Sequence, residues 1–191
     1  MKRLTGILSL CVLLFASSAL MAATSSKDKD KARADIRKAS GQVLASLYKA
    51  QPSAKKAIEA AAGYATFSNF GMKILFAGSG TGKGIAVKKG SPNKETFMKM
   101  IEVQAGLGIG VKKFQLVFIF EDPAALDKFI SSGWDSSAQA TAAATDGNKG
   151  GAYAGAMPVS TGVWLYQLTD KGVALEATVK GTKYYKDDDL N

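Results

Sequence analysis

The sequence predicts an α+β fold in which N-terminal helices pack on a strongly twisted, mostly antiparallel β-sheet or barrel-like sandwich with glycine-rich strands. Three observations carry that expectation. Between Ala32 and Ala50 the apolar residues Ile36, Val43, Leu44, Leu47 and Tyr48 recur at helical spacing. After Gly63 the period changes to the two-residue alternation of strands. Two glycine stripes, Gly78-Gly80-Gly82-Gly84 and Gly106-Gly108-Gly110, repeat at that same period, so two strands each present a face of nearly bare backbone. The chain of 191 residues, 47% of them hydrophobic, suits one domain with an ample core.

The N-terminal segment reads as an address. Lys2 and Arg3 precede the apolar run Ile7–Phe15, small residues follow, and Leu20-Met21-Ala22 or Met21-Ala22-Ala23 offers a cleavage site, the pattern of a secretory signal peptide over residues 1–23. The apolar run is too short for a membrane anchor, which needs about 20 apolar residues. Cys11 follows Leu10 rather than a small residue and sits early in the run, so it is an ordinary leader residue and not a lipid-attachment site. The exported protein then has no cysteine and no disulfide. The expected location is the periplasm, where peripheral association with the inner or outer membrane is compatible with a basic surface.

Residues 24–34 read as a charged lead-in frayed at its start, and residues 35–186 as the single folded domain. The first helix ends at Pro52, Ser53 is placed to cap a second, alanine-rich helix through Ala62, and Gly63 closes it. Tyr64–Phe70 alternates as a strand, and Lys88–Asn93 is a turn. Residues 101–111 read as one strand, with Ile101, Val103, Leu107, Ile109 and Val111 on a core face. Phe114–Phe120 is apolar on both faces and reads as a central strand. Asp122-Pro123 is a helix start, with an acceptor at the cap and proline in the first turn, for a helix through Ser131 that turns Leu126, Phe129 and Ile130 inward. Residues 134–145 are rich in alanine, serine and threonine and satisfy either a helix or a small-residue strand. Val163–Leu168 and Val173–Lys180 form a hairpin through residues 169–172, and Tyr184-Tyr185 closes the last strand. Residues 187–191, opening with three aspartates, read as a solvated acidic tail rather than a weak divalent-cation site.

Composition excludes much chemistry. The chain has no histidine, which removes Ser-His-Asp and Cys-His catalysis and every zinc site built on imidazole. The stretch Gly78–Gly84 is not a phosphate loop: Ala77 stands where the first glycine belongs, and Gly84 replaces the magnesium-binding hydroxyl after Lys83. The carboxylates Glu102, Glu121, Asp122 and Asp127 form no paired acid and base. No enzyme, cofactor or metal is expected. A glycine-bare face exists because something approaches its backbone closely: another part of the same protein, or an acyl chain or other flat apolar ligand.

The 25 basic residues against 16 acidic ones give a formal charge of +9, which favours anionic partners, and loss of the leader removes only Lys2 and Arg3 from that excess. An export signal and the absence of any recognisable motif argue against nucleic acid. Basic pairs on the two helices, Arg37-Lys38 and Lys55-Lys56, suit anionic head groups.

Several segments in order carry a resemblance: Ala62-Gly63-Tyr64-Ala65-Thr66-Phe67, the glycine alternation 78–84, Gln104–Gly110, Phe118-Ile119-Phe120, Ala125–Phe129 and Gly133-Trp134. Over roughly residues 35–186 the chain resembles the SYLF lipid-binding domain of bacterial exported proteins and eukaryotic actin-patch regulators. It departs from that pattern at Ser68, where proline is usual, and at the bulkier Met72–Phe76. The resemblance implies non-catalytic binding of anionic phospholipid. In eukaryotic relatives a basic amphipathic N-terminal helix engages phosphoinositides; the matching element here is 32–50, with Arg33, Arg37, Lys38 and Lys49. Together with Lys55 and Lys56 these are the expected lipid-binding residues. The expected ligand in a bacterial envelope is phosphatidylglycerol, cardiolipin or a lipid intermediate in envelope maintenance. The alternative is a structural module that uses its glycine-flat face to dock a protein partner or to self-assemble.

Overall fold

The computed structural model describes residues 6–74, 77–105, 110–135, 153–169, 172–174 and 182–191, with side chains over 26–68, 81–101, 114–135, 153–169, 172–173 and 182–191. Helix α1 spans Gly6–Ala50 and α2 Ser53–Ala60. The charged lead-in continues helix α1. Its charges alternate at helical spacing: Lys31 Nζ lies 2.8 Å from Asp35 Oδ2, and Arg33 Nη1 2.8 Å from Asp30 Oδ1. Ser53 is the first residue of α2 and not its cap; Pro52 occupies the cap position, and the Ser53 hydroxyl accepts a hydrogen bond from Gln51 Nε2.

Strands β1 (Gly63–Ile74), β2 (Ala77–Lys88), β3 (Lys94–Ala105) and β4 (Gly110–Phe120) precede helix α3 (Pro123–Ser132). Strands β5 (Trp134–Asp135), β6 (Met157–Ser160), β7 (Val163–Thr169), β8 (Gly172–Ala174) and β9 (Thr182–Lys186) follow. They join one antiparallel sheet in the order β5-β9-β3-β2-β1-β4-β7-β6, with β8 beside β6 on the outer side of β7. Trp134 on one edge strand and Met157 on the other pack against the same core, so the sheet curls on itself. The α+β expectation is met.

The single strand expected over 101–111 is corrected. Residues 101–105 end β3 and residues 110–111 begin β4, and these strands lie on opposite sides of the β1–β2 pair. Ile101, expected on the core face, is 41% exposed, whereas Met98 and Met100 are buried. The register explains the inversion: Met98 pairs with Gly84 and Met100 with Gly82. Gly82 leaves room for the Met100 side chain to fold over β2.

That answers the glycine question for the described residues. A Cβ at Gly82 would lie 2.6 Å from Met100 Cγ and 2.8 Å from the carbonyl oxygen of Ser68. At Gly84 it would meet the Phe67 ring. The face is filled by the protein itself. It belongs to an inner core in which Phe67, Phe118, Phe120, Phe129 and Tyr184 meet largely edge-on or tilted, with centroids 4.9 Å apart for Phe67–Tyr184 and 5.4 Å for Phe118–Phe129. Beside Trp134 and Phe129 a cavity of about 80 Å³ remains, far smaller than a drug-sized ligand site.

Strand β4 is central, as its two apolar faces predict. Phe114, Leu116, Phe118 and Phe120 face the inner core, while Val117 and Ile119 face the helices. There they meet Val43 and Leu47 of α1 and Ala54, Ala57 and Ile58 of α2. A third cluster joins Ile36 of α1 to Ile85, Val87, Phe97 and Leu190. Helix α3 starts as expected, with Asp122 Oδ1 accepting from the Ala124 amide at 3.0 Å and Leu126 and Phe129 buried. Gly133 ends it at φ +69°, which lets Trp134 pair with Tyr184 in β9. Within 134–145 the first two residues are strand and the rest lie outside the described residues. The β7–β8 hairpin is also as expected, while residues 175–180 of its second arm lie outside.

The acidic segment 187–191 is packed rather than solvated. Asp187 is 1% exposed, and its amide donates to Phe97 O. Lys99 Nζ lies 2.8 Å from Asp187 Oδ1 and 3.0 Å from Asp189 Oδ2. Asn191 bonds to both backbone groups of Phe97, and Leu190 is buried.

Candidate functional site

The basic residues of α1 divide by the side of the helix they occupy. Ile36, Ser40, Val43 and Leu47 form the buried side, pinned where Thr66 Oγ1 donates to Ser40 Oγ at 2.7 Å. Arg33 and Arg37, one turn apart, flank it. Arg33 Nε donates to Leu190 O at 2.8 Å while its Nη1 meets Asp30. Arg37 Nε donates to Glu95 Oε2 at 2.8 Å, and its guanidinium carbon sits 5.1 Å from the Phe97 ring centroid. Both arginines line an open groove of about 870 Å³ between α1, the start of β3, the end of α3 and residues 186–191.

Lys38 and Lys49 lie on the opposite, exposed side. Eleven residues turn an α-helix through almost exactly three circles, so the two lysines share one stripe, about 16 Å apart. Beyond the tight turn at Gln51-Pro52, α2 presents Lys55 and Lys56 to solvent. Lys55 stands 4.0 Å from Glu59 Oε1, a loose i,i+4 pair, and Lys56 has no carboxylate partner among the described residues. The structure thus gathers Arg33 and Arg37 in the groove and sets Lys38, Lys49, Lys55 and Lys56 on the outer surface of the helical layer.

Two further cations enter the groove that sequence reasoning did not single out, Lys94 at the start of β3 and Lys186 at the end of β9. No local pattern marks them, because only the sheet topology brings them beside α1. Lys89 is committed elsewhere: its ammonium donates to Ile58 O and to Glu59 O, satisfying the carbonyl end of α2, and burial lowers its pKa.

The carboxylates considered for catalysis hold the fold where they are described. Asp122 caps α3, Asp127 receives Lys88 on both oxygens at 2.7 and 2.8 Å, and Glu121 accepts a hydrogen bond from Tyr153. The side chain of Glu102 lies outside the described residues. Among the described residues no three His, Cys, Asp or Glu side chains gather as a metal site.

Residues 101–191 match the family model Ysc84, described as Las17-binding protein actin regulator. Over 164 residues the chain is 34% identical to Beta cell expansion factor A of Aeromonas veronii. The C-terminal half of this chain is thus similar to the Ysc84 (SYLF) family. The Ysc84 match runs from the outer half of β3 through β4, α3 and the remaining strands. The similarity to the Aeromonas protein covers 86% of this chain and 60% of that relative's length.

Proposed function

We propose that this chain is a non-catalytic, exported lipid-binding protein that docks on anionic phospholipid through the outer surface of α1 and α2. The supporting observation is the division of labour on these helices. Their apolar sides are spent on the sheet, so Lys38, Lys49, Lys55 and Lys56 meet a partner as charges held on a rigid surface. Among the described residues no helix is long and apolar enough to cross a membrane. Docking through these lysines is electrostatic, at about 1 kcal/mol for each lysine near an anionic surface. The leader-like segment 1–23 supports a periplasmic site of action, with phosphatidylglycerol or cardiolipin as ligand and a part in envelope maintenance.

The family description favours a second reading, a protein-docking module. The glycine-flat face is a poor candidate for it where described, because Met100 and Phe67 already cover Gly82 and Gly84. The test is co-sedimentation with phosphatidylglycerol vesicles. The combined reversal K38E/K49E/K56E should weaken binding by about two orders of magnitude or more, from about 1 kcal/mol per lysine lost. Full binding by this variant refutes the helical surface.

A further inference from the structure

We propose that the groove between α1, the start of β3 and the segment after β9 is a binding site for a phosphate ester. Both guanidiniums are held in place by neighbouring groups, and each keeps terminal N–H groups to spare. Arg33 is fixed through Nε to Leu190 O and through Nη1 to Asp30. Arg37 is fixed through Nε to Glu95 and lies over the Phe97 ring. Among the described residues no other partner engages their remaining terminal N–H groups. Fixed forks of this kind bind tetrahedral oxyanions bidentately and with little ordering cost.

Lys94 and Lys186 line the same groove, exposed and without a carboxylate partner among the described residues. Four cationic side chains thus face two carboxylate side chains, Asp30 and Glu95, an excess of positive charge that suits a phosphate anion. Phe97 and Leu190 supply an apolar wall for the carbon side of the ester. The volume of about 870 Å³ falls within the range of small-molecule sites and exceeds a lone phosphate. Glu95 is a built-in competitor, since it occupies the donor edge of Arg37 until a ligand recruits the rest of the fork.

The phosphate can belong to a lipid head group or to a soluble ester. The head-group form rests on the membrane reading above, whereas the phosphate site does not. The probe is glycerol 3-phosphate, titrated calorimetrically into the purified protein. Saturable one-to-one binding is expected, weakened at least tenfold in K94A/K186A and tightened several-fold in E95Q. The variant K38E/K49E/K56E should bind it like the unaltered protein, which separates this site from the outer helical surface. All three sets of changes are at exposed positions, and the thermal unfolding midpoint of each variant verifies that it is folded. Absence of saturable binding at millimolar ester, or equal affinity in K94A/K186A, overturns the site. Phosphatidylglycerol vesicles distinguish the sources: weaker vesicle binding by K94A/K186A assigns the site to the head group, and unchanged vesicle binding assigns it to a soluble ester.

Discussion

Replacing Gly82 by alanine tests the packing of the glycine face directly. Its φ is not in the left-handed region, so backbone strain plays no part and only space is at issue. The added methyl would lie 2.6 Å from Met100 Cγ, 2.8 Å from its Sδ and 2.8 Å from Ser68 O. Met100 is flexible but 1% exposed within the inner core, and the Ser68 carbonyl belongs to the paired strand β1. Overpacking of this kind costs about 1–3 kcal/mol. The loss of unfolded-chain entropy from glycine to alanine offsets about 0.4–1 kcal/mol. A net loss of about 1–2 kcal/mol is expected, or about 0.5–1 M in the urea midpoint at a slope of about 2 kcal/mol/M. Gly41 is the control: it lies in α1 with nothing within 4 Å of an added Cβ. Alanine there should raise stability by about 0.5–1 kcal/mol. The two substitutions therefore move the midpoint in opposite directions. An unchanged or higher midpoint for Gly82→Ala would refute the packed face and reopen it as a surface for ligand or partner.

Leu47, fully buried between α1 and the sheet, should cost about 2–5 kcal/mol on replacement by alanine, read from the same urea curves; a loss under 1 kcal/mol would mean that α1 is not part of the core. Tyr153 and Tyr166 are both pushed up to about 12, each mainly by burial, and Tyr153 also by its hydrogen bond to Glu121. Because the folded values are raised, their stabilisation is complete below the ordinary value of 10.0 and is lost as pH climbs through about 12. Absorbance at 295 nm should show these two ionising late, and ionisation near 10 would contradict their burial. The Lys99 ammonium holds the Asp189 carboxyl below its ordinary 3.8, so that contribution is present above 3.8 and fades only as pH falls further. The Leu190 amide, bonded to Asp187 O, should keep its exchange protection down to about pH 4 and lose it below; protection lost by pH 6 would show that the acidic segment is not held by Lys99.

Elements written in a few adjacent residues were legible in the sequence. Asp122-Pro123 defines the start of α3 locally, and a strand apolar on both sides, as at 114–120, has to be central. The glycine stripe correctly signalled close approach at Gly82 and Gly84. What fills it depends on register, and Phe67 and Met100 sit on the two neighbouring strands that no local pattern aligns with them. The same long-range fact inverted the expected face at Ile101. Residues 187–191 read as solvated because they are acidic and terminal, yet Lys99, 90 residues before Asp189, pairs with two of the three aspartates. Within the candidate site the basic character of α1 was plain. The separation of Arg33 and Arg37 from Lys38 and Lys49 became visible only when Ile36, Val43 and Leu47 defined the buried side. Lys94 and Lys186 needed the complete sheet.

Vesicle flotation measures electrostatic docking of the helical layer most directly. The purified protein is floated with phosphatidylcholine liposomes carrying rising fractions of phosphatidylglycerol or cardiolipin, at 50 and 300 mM salt. The account predicts binding that rises with the anionic fraction and falls sharply at the higher salt, since exposed charges are screened beyond about 6 Å there. Failure to float at either salt, or flotation indifferent to both salt and lipid charge, would contradict it.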